Sequence, residues 1–209
     1  MEVKTVNKGT VVTVTKSVYC SSNGRLVTFF HSPQEYRLIT NAKGEAQLYI
    51  PSSNEVVSEV SEDLSSRDEI LSLYLNGRAG DLGLSLYGYR QTAISREDGL
   101  IKKTFEGSGK NGAPVVEIVY EDLLPIYCAY LKSDGTVISK TYFSDFEKSG
   151  NLSVPRRVTN IAYSSKKDST ITRSIYSNIK VDSTAPEFDF EIPANAKVAK
   201  MPQQSPIKK

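Results

Sequence analysis

A single histidine, two cysteines, two methionines and no tryptophan occur among the 209 residues of this chain. With so little imidazole and thiol, a Cys/His metal centre or a histidine-assisted nucleophile has almost nothing to be built from. Cys20 and Cys128 are too far apart for a CxxC redox or zinc motif. They are expected as small buried residues at strand ends, and a disulfide between them requires neighbouring strands. No apolar run approaches the roughly 18 residues that carry a helix across a bilayer. The opening residues MEVKTVNKGT hold no apolar signal core. Neither sign of charge dominates, with 26 Lys and Arg against 24 Asp and Glu for a net +2. No basic run is interleaved with aromatics, so no nucleic-acid partner is expected.

What is there is a long succession of short alternating segments closed by turn residues. Ile171–Val181 sets Ile171, Ile175, Ile179 and Val181 on one parity against Thr172, Ser174, Asn178 and Lys180. Phe188–Ile192 repeats the pattern, with Phe188, Phe190 and Ile192 against Asp189 and Glu191. A period of two predicts a sheet with one dry and one wet face. Twelve Tyr and seven Phe suit strands and an apolar binding surface alike.

Strands are predicted over Thr10–Cys20, Arg25–His31, Glu35–Thr40, Glu45–Ile50 and Glu55–Val60, with Asn23-Gly24 as a hairpin turn and Ser32-Pro33 as a break. After an interruption they resume as Leu86–Ile94, Leu100–Glu106, Val115–Glu121, Ile126–Lys132, Thr136–Phe143, Val154–Tyr163, Thr170–Val181 and Glu187–Ile192. Short connections, such as Asp98-Gly99, predict antiparallel neighbours in a meander. The interruption holds one helix, Arg67–Leu75, with Ile70, Leu71, Tyr74 and Leu75 at helical spacing and Asn76-Gly77 as its stop. The glycine-rich stretch after it lacks the Lys-Ser/Thr of a phosphate loop and reads as a connection. The residues from Ala194 onward read as a loose tail.

Residues with chemical potential are few. His31 suits a pH-sensitive contact or an ordinary strand-end position. Arg156-Arg157 suits a phosphate or acidic partner, yet adjacent strand residues point to opposite faces, so at most one lines any hollow. The carboxylate pairs Asp63/Asp68 and Glu121/Asp122 sit where helix caps and strand ends ordinarily carry charge. No nucleophile-elbow pattern accompanies the serines. Asn151-Leu152-Ser153 is a glycosylation sequon by pattern only.

The order of pieces resembles the LolA-like periplasmic lipoprotein carriers of the LolA/LppX/RseB superfamily, from about Thr10 to Val198. The resemblance rests on Gly24-x-Leu26 and then FFHSPQEYRLITNAKGEAQLYIPSSNEVV, which ends in Tyr49-Ile50-Pro51. It rests also on Asn151–Val158 and on the closing Phe188-x-Phe190-x-Ile192-Pro193 before Val198. Ser32, preceded by His31, stands before the proline where the carriers have a basic residue. The fold this implies is mainly β (α+β): a strongly curved antiparallel sheet of about 11 strands forming an unclosed barrel with a helical lid. Residues 1–198 would form one domain and 199–209 a flexible tail. The function it implies is a non-enzymatic, monomeric carrier without metal or cofactor, exported to the periplasm as a mature form. Its partners would be lipid or lipoprotein acyl chains and a membrane-bound donor or acceptor protein. Ile70, Leu71, Tyr74, Leu75, Phe29 and Phe30 are the expected ligand-contacting residues. A protein-interaction or sensor module on the same scaffold is the other reading.

Overall fold

The computed structural model describes residues 1–41, 43, 45–58, 73–74, 77–108, 112–165 and 168–199. Among them are fourteen strands: β1 (Glu2–Asn7), β2 (Thr10–Cys20), β3 (Leu26–Ser32), β4 (Tyr36–Thr40), β5 (Ala46–Ile50), β6 (Glu55–Val57), β7 (Tyr89–Glu97), β8 (Leu100–Gly107), β9 (Val115–Glu121), β10 (Leu124–Leu131), β11 (Val137–Ser149), β12 (Leu152–Ser165), β13 (Asp168–Ile175) and β14 (Lys197–Val198). The chain is thus mainly β, as its alternation predicts. It divides into two compact units, Met1–Val14 with Leu73–Ser183 and Thr15–Ser72 with Thr184–Lys209, the division falling inside β2.

In the first unit the hydrogen-bonded order is β2-β1-β13-β12-β11-β10-β9-β8-β7, and it does not return on itself. From β7 to β13 the strands form the expected antiparallel meander. Its tight corner at Asp98-Gly99 has φ of 49° and 80°, the backbone that glycine and aspartate accept and that matches strand twist. β1 pairs antiparallel with β13, the final strand of that meander, with Glu2 opposite Ile175 and Asn7 opposite Thr170. The core of this unit holds Phe105, Val116, Ile118, Tyr120, Cys128, Phe143 and Val154.

In the second unit the order is β2-β3-β4-β5-β6-β14. Strands β2 to β6 are antiparallel, and β14 runs parallel to β6, Lys197 opposite Glu55. β3 stops at Ser32, before the cis Ser32-Pro33 bond, where proline has no amide proton to give. Leu26, Thr28, Leu38 and Thr40 share one face and, with Val27 on the other, are this unit's most buried residues.

Several expectations are corrected. The described residues hold fourteen strands rather than about eleven, and neither β1 nor β14 was anticipated. β13 ends at Ile175, so Ile179 and Val181 are not in a strand; Asn178 and Asp182 turn the chain with φ of 56° and 54°. The Phe188–Ile192 alternation is not a strand either: Pro186–Asp189 is a 3-10 turn, entered at the proline. The segment from Ala194 is not loose as far as 199, because Lys197 N–H donates to Asn54 O at 2.9 Å and Ala199 N–H to Val56 O at 2.8 Å. Of the predicted helix Arg67–Leu75, only Leu73 and Tyr74 lie within the described residues, and both are helical. Other helical structure among the described residues is confined to two four-residue 3-10 turns, Leu84–Tyr87 and Pro186–Asp189, so a helical lid is not shown.

Candidate functional site

Alternation places one aromatic layer on the second unit. Residues paired across strands share a face, which puts Tyr19, Phe29, Arg37 and Tyr49 on one side of β2–β5. The C-terminal 3-10 turn delivers Phe188 edge-on to Tyr19, with centroids 5.4 Å apart, and Phe190 to Phe29 at 5.3 Å and to Tyr49 at 6.2 Å. Arg37 lies over the Phe29 ring at 4.4 Å. Arg25, at the end of the β2–β3 hairpin, donates from its two terminal nitrogens to the carbonyl oxygens of Phe188 and Phe190. A bidentate guanidinium satisfies two carbonyls that have no strand partner. This layer is packed by the protein's own side chains. Phe29 belongs to it; Phe30, one residue on, takes the other face and stacks on Tyr36 at 4.0 Å with Lys16 above it. The two predicted contacts therefore line opposite faces. His31 accepts or shares a hydrogen bond with Ser17 Oγ at 2.9 Å.

The first unit carries a buried apolar layer of its own. Register sets Phe105, Lys103 and Ile101 beside Val116, Ile118 and Tyr120, and these beside Cys128 and Tyr130. Tyr74 and Leu84 are buried in the same unit. The Tyr120 hydroxyl donates to Gly80 O at 2.6 Å, and the Lys103 ammonium sits 4.8 Å from the Tyr120 ring centroid. Burial pushes the Cys128 thiol up to about 12. Burial first, and each other's or neighbouring groups second, also raise Tyr74 and Tyr120 well above the usual phenol range. These groups stay protonated at neutral pH and offer hydrogen bonds and apolar area rather than charge. Burial acts to raise the Asp81 carboxyl, but hydrogen bonds from Ser85 and Gly83 and the charge of Arg78 outweigh it and leave it lowered.

The same face turns polar further along. Asn160 donates to Thr141 Oγ1 at 2.9 Å, and Thr172 and Thr5 hydroxyls meet at 3.3 Å. Thr170, Thr172 and Ser174 are half-buried, whereas Ile171 and Ile175 are 37% and 38% exposed on the opposite face. The period of two predicted for this strand is present, with the wet and dry sides exchanged. Arg157 pairs with Asp145 at 2.9 Å and Arg156 with Glu147 at 3.3 Å, so both arginines are engaged at the surface. Cys20 and Cys128 are not joined in a disulfide. Among the described residues, no group of three His, Cys, Asp or Glu side chains is placed to hold a metal, and no helix is long and apolar enough to cross a membrane.

Of the six predicted contacts, Ile70, Leu71 and Leu75 lie outside the described residues, and Tyr74 is buried in the first unit. Arg25 and Lys103 were missed, since nothing but their charge distinguishes them in sequence.

No protein-family model matches the sequence, and no curated protein matches it. Solved structures do. A LolA superfamily protein from Nitrosomonas europaea aligns over 91% of this chain and 87% of its own, with TM-score 0.58 and 10% identity. A putative outer membrane lipoprotein-sorting protein domain from Vibrio parahaemolyticus aligns over 85% and 84%, with TM-score 0.52 and 11% identity. A DUF1329 family protein from Desulfovibrio piger aligns over 90% and 86%, with TM-score 0.51 and 16% identity. The chain has the fold of the LolA superfamily.

Proposed function

We propose that this protein is a non-enzymatic carrier, exported to the periplasm, that shelters the acyl chains of a lipid or lipoprotein on their way to the outer membrane. The observation that carries this reading is the fold, shared along most of the chain with a putative lipoprotein-sorting domain. The apolar face formed by Phe105, Val116 and Ile118 is buried within the protein, and in this reading it opens to take an acyl chain, which needs no reacting group. Each methylene transferred from water contributes about 0.8 kcal/mol, so a modest length of chain suffices for useful affinity. Tyr74 joins this face in the reading, and Ile70, Leu71 and Leu75 are its proposed companions.

Native mass spectrometry of protein purified without detergent tests the proposal, together with organic extraction of the same sample. Co-purified acyl species that reload after delipidation are expected. A delipidated protein that takes up no acyl compound of any kind overturns the carrier reading.

A further inference from the structure

Along β13 the polarity of the sheet is reversed: Ile171 and Ile175 are exposed while Thr172 and Ser174 are half-buried. The reversal continues into the neighbouring strands. Register sets Val6 and Ile161 on either side of Ile171. Tyr142 lies beyond Thr159 in the adjacent row; it is exposed, and it points away from the buried Phe143. Thr141 and Asn160, hydrogen-bonded to each other, take the other side with Thr172. A sheet face that meets only water carries its hydroxyls outward. Set among these aliphatic side chains is a pair of cations. Lys4 stands directly opposite Arg173, between Ile171 and Ile175, and like charges so placed repel. Among the described residues no carboxylate pairs with either of them, or with Lys140, which is opposite Ile161. Glu2 is opposite Ile175, and Arg157, on the other side of Ile175, is held by Asp145 at 2.9 Å. Three cations against one acid leave this face positive.

We propose that this face docks on an anionic lipid surface, with Lys4, Arg173 and Lys140 against the phosphates and Ile171, Ile175 and Tyr142 in the head-group layer. The proposal goes beyond the carrier reading and does not rest on it. Anionic phosphates relieve the Lys4–Arg173 repulsion, and because lipids move laterally no carved anion site is needed. Aliphatic side chains gain by entering the boundary with the acyl chains, and a tyrosine suits that layer because its ring is apolar and its hydroxyl polar. A soluble acidic protein would answer the cations and leave the exposed isoleucines without a role.

Co-sedimentation of the full chain with sucrose-loaded vesicles tests this, one set made of phosphatidylcholine and the other of phosphatidylcholine with an equal part of phosphatidylglycerol. Binding to the anionic vesicles is expected to be at least about tenfold tighter and to weaken as salt is added. Lys4→Gln and Arg173→Gln should each weaken it roughly fivefold without lowering the unfolding midpoint, since each removes a repulsion. Ile171→Ser with Ile175→Ser should weaken it severalfold at unchanged charge. Ile171→Thr with Ile175→Thr is the milder pair, keeping the branched shape that suits a strand. Equal binding to both vesicles, no binding to either, or unaltered binding of the two charge variants overturns the inference and leaves the carrier reading standing. Anionic binding that both isoleucine pairs leave unaltered, and that soluble polyglutamate displaces, overturns it in favour of an acidic protein partner.

Discussion

The ring of Phe190 stands edge-on to that of Phe29, with 5.3 Å between centroids and 79° between planes. The quadrupoles of two aromatic rings favour this arrangement, which adds to the area they bury. It ties the C-terminal segment to β3 across 161 residues of sequence, by the difference of the two residue numbers. Phe190→Ala is expected to destabilise the protein by about 2 kcal/mol, since both rings are half-buried rather than sealed. Urea unfolding measures it, and a change of a few tenths would mean that the segment is not part of the folded layer.

Arg25 acts on the same segment through its backbone. Its guanidinium serves the Phe188 and Phe190 carbonyls together. Arg25→Met should cost about 1.5–3 kcal/mol, the worth of hydrogen bonds to a charged group. Arg25→Lys should recover little, because an ammonium lacks the planar fork that spans two acceptors. Hydrogen exchange should locate the loosening at Pro186–Phe190 in both variants.

Thr40 offers a change in the other direction. It is 1% exposed and its hydroxyl has no hydrogen-bond partner. Thr40→Val keeps the branched shape that suits a strand and removes the unpaired oxygen. A stabilisation of about 1 kcal/mol is expected, read as a higher urea midpoint at unchanged slope.

Asp81 gives the protein an acid-sensitive corner. Its carboxyl is held below the usual range in the folded state. Its stabilisation is therefore complete above the unfolded value near 3.9 and is lost as pH falls through the lower folded value. The stability gap between wild type and Asp81→Asn should stay constant above about pH 5 and close in stronger acid. A gap that persists unchanged at pH 2 would refute the assignment.

Cys128 is buried, with its thiol pushed up to about 12. The thiolate is the form that alkylates. Iodoacetamide at pH 8 should leave Cys128 unmodified in the native protein and label it fully in urea, as peptide mass spectrometry will show. The protonated thiol's contribution to stability is present below its unfolded value near 8.5 and declines as pH rises toward 12.

Much of the sheet was legible because alternation and turn chemistry are local. Val115–Glu121 and Thr10–Cys20 were read with the boundaries observed, and Asp98-Gly99 sits at the tight corner its residues announce. Phe188-x-Phe190 shows the limit of that signal. Two rings on one parity describe a strand and equally a short turn whose rings reach the same layer; Pro186 and Arg25 chose the turn. β1 was illegible for another reason. EVKTVN has no clear dry side, and it becomes a strand because β13, distant in sequence, supplies its hydrogen-bond partners.

By itself the sequence determined that this chain would be a mainly β protein of short antiparallel strands, because a two-residue period and the glycine-bearing turns are properties of neighbouring residues. Which side of each strand is dry was settled only in three dimensions. Ile171 and Ile175 are exposed while Thr172 is half-buried against Thr5, since burial depends on what packs over a face and not on the side chain alone. The approach of Lys103 to the Tyr120 ring belongs to the same category: the pairing of β8 with β9 brings them together.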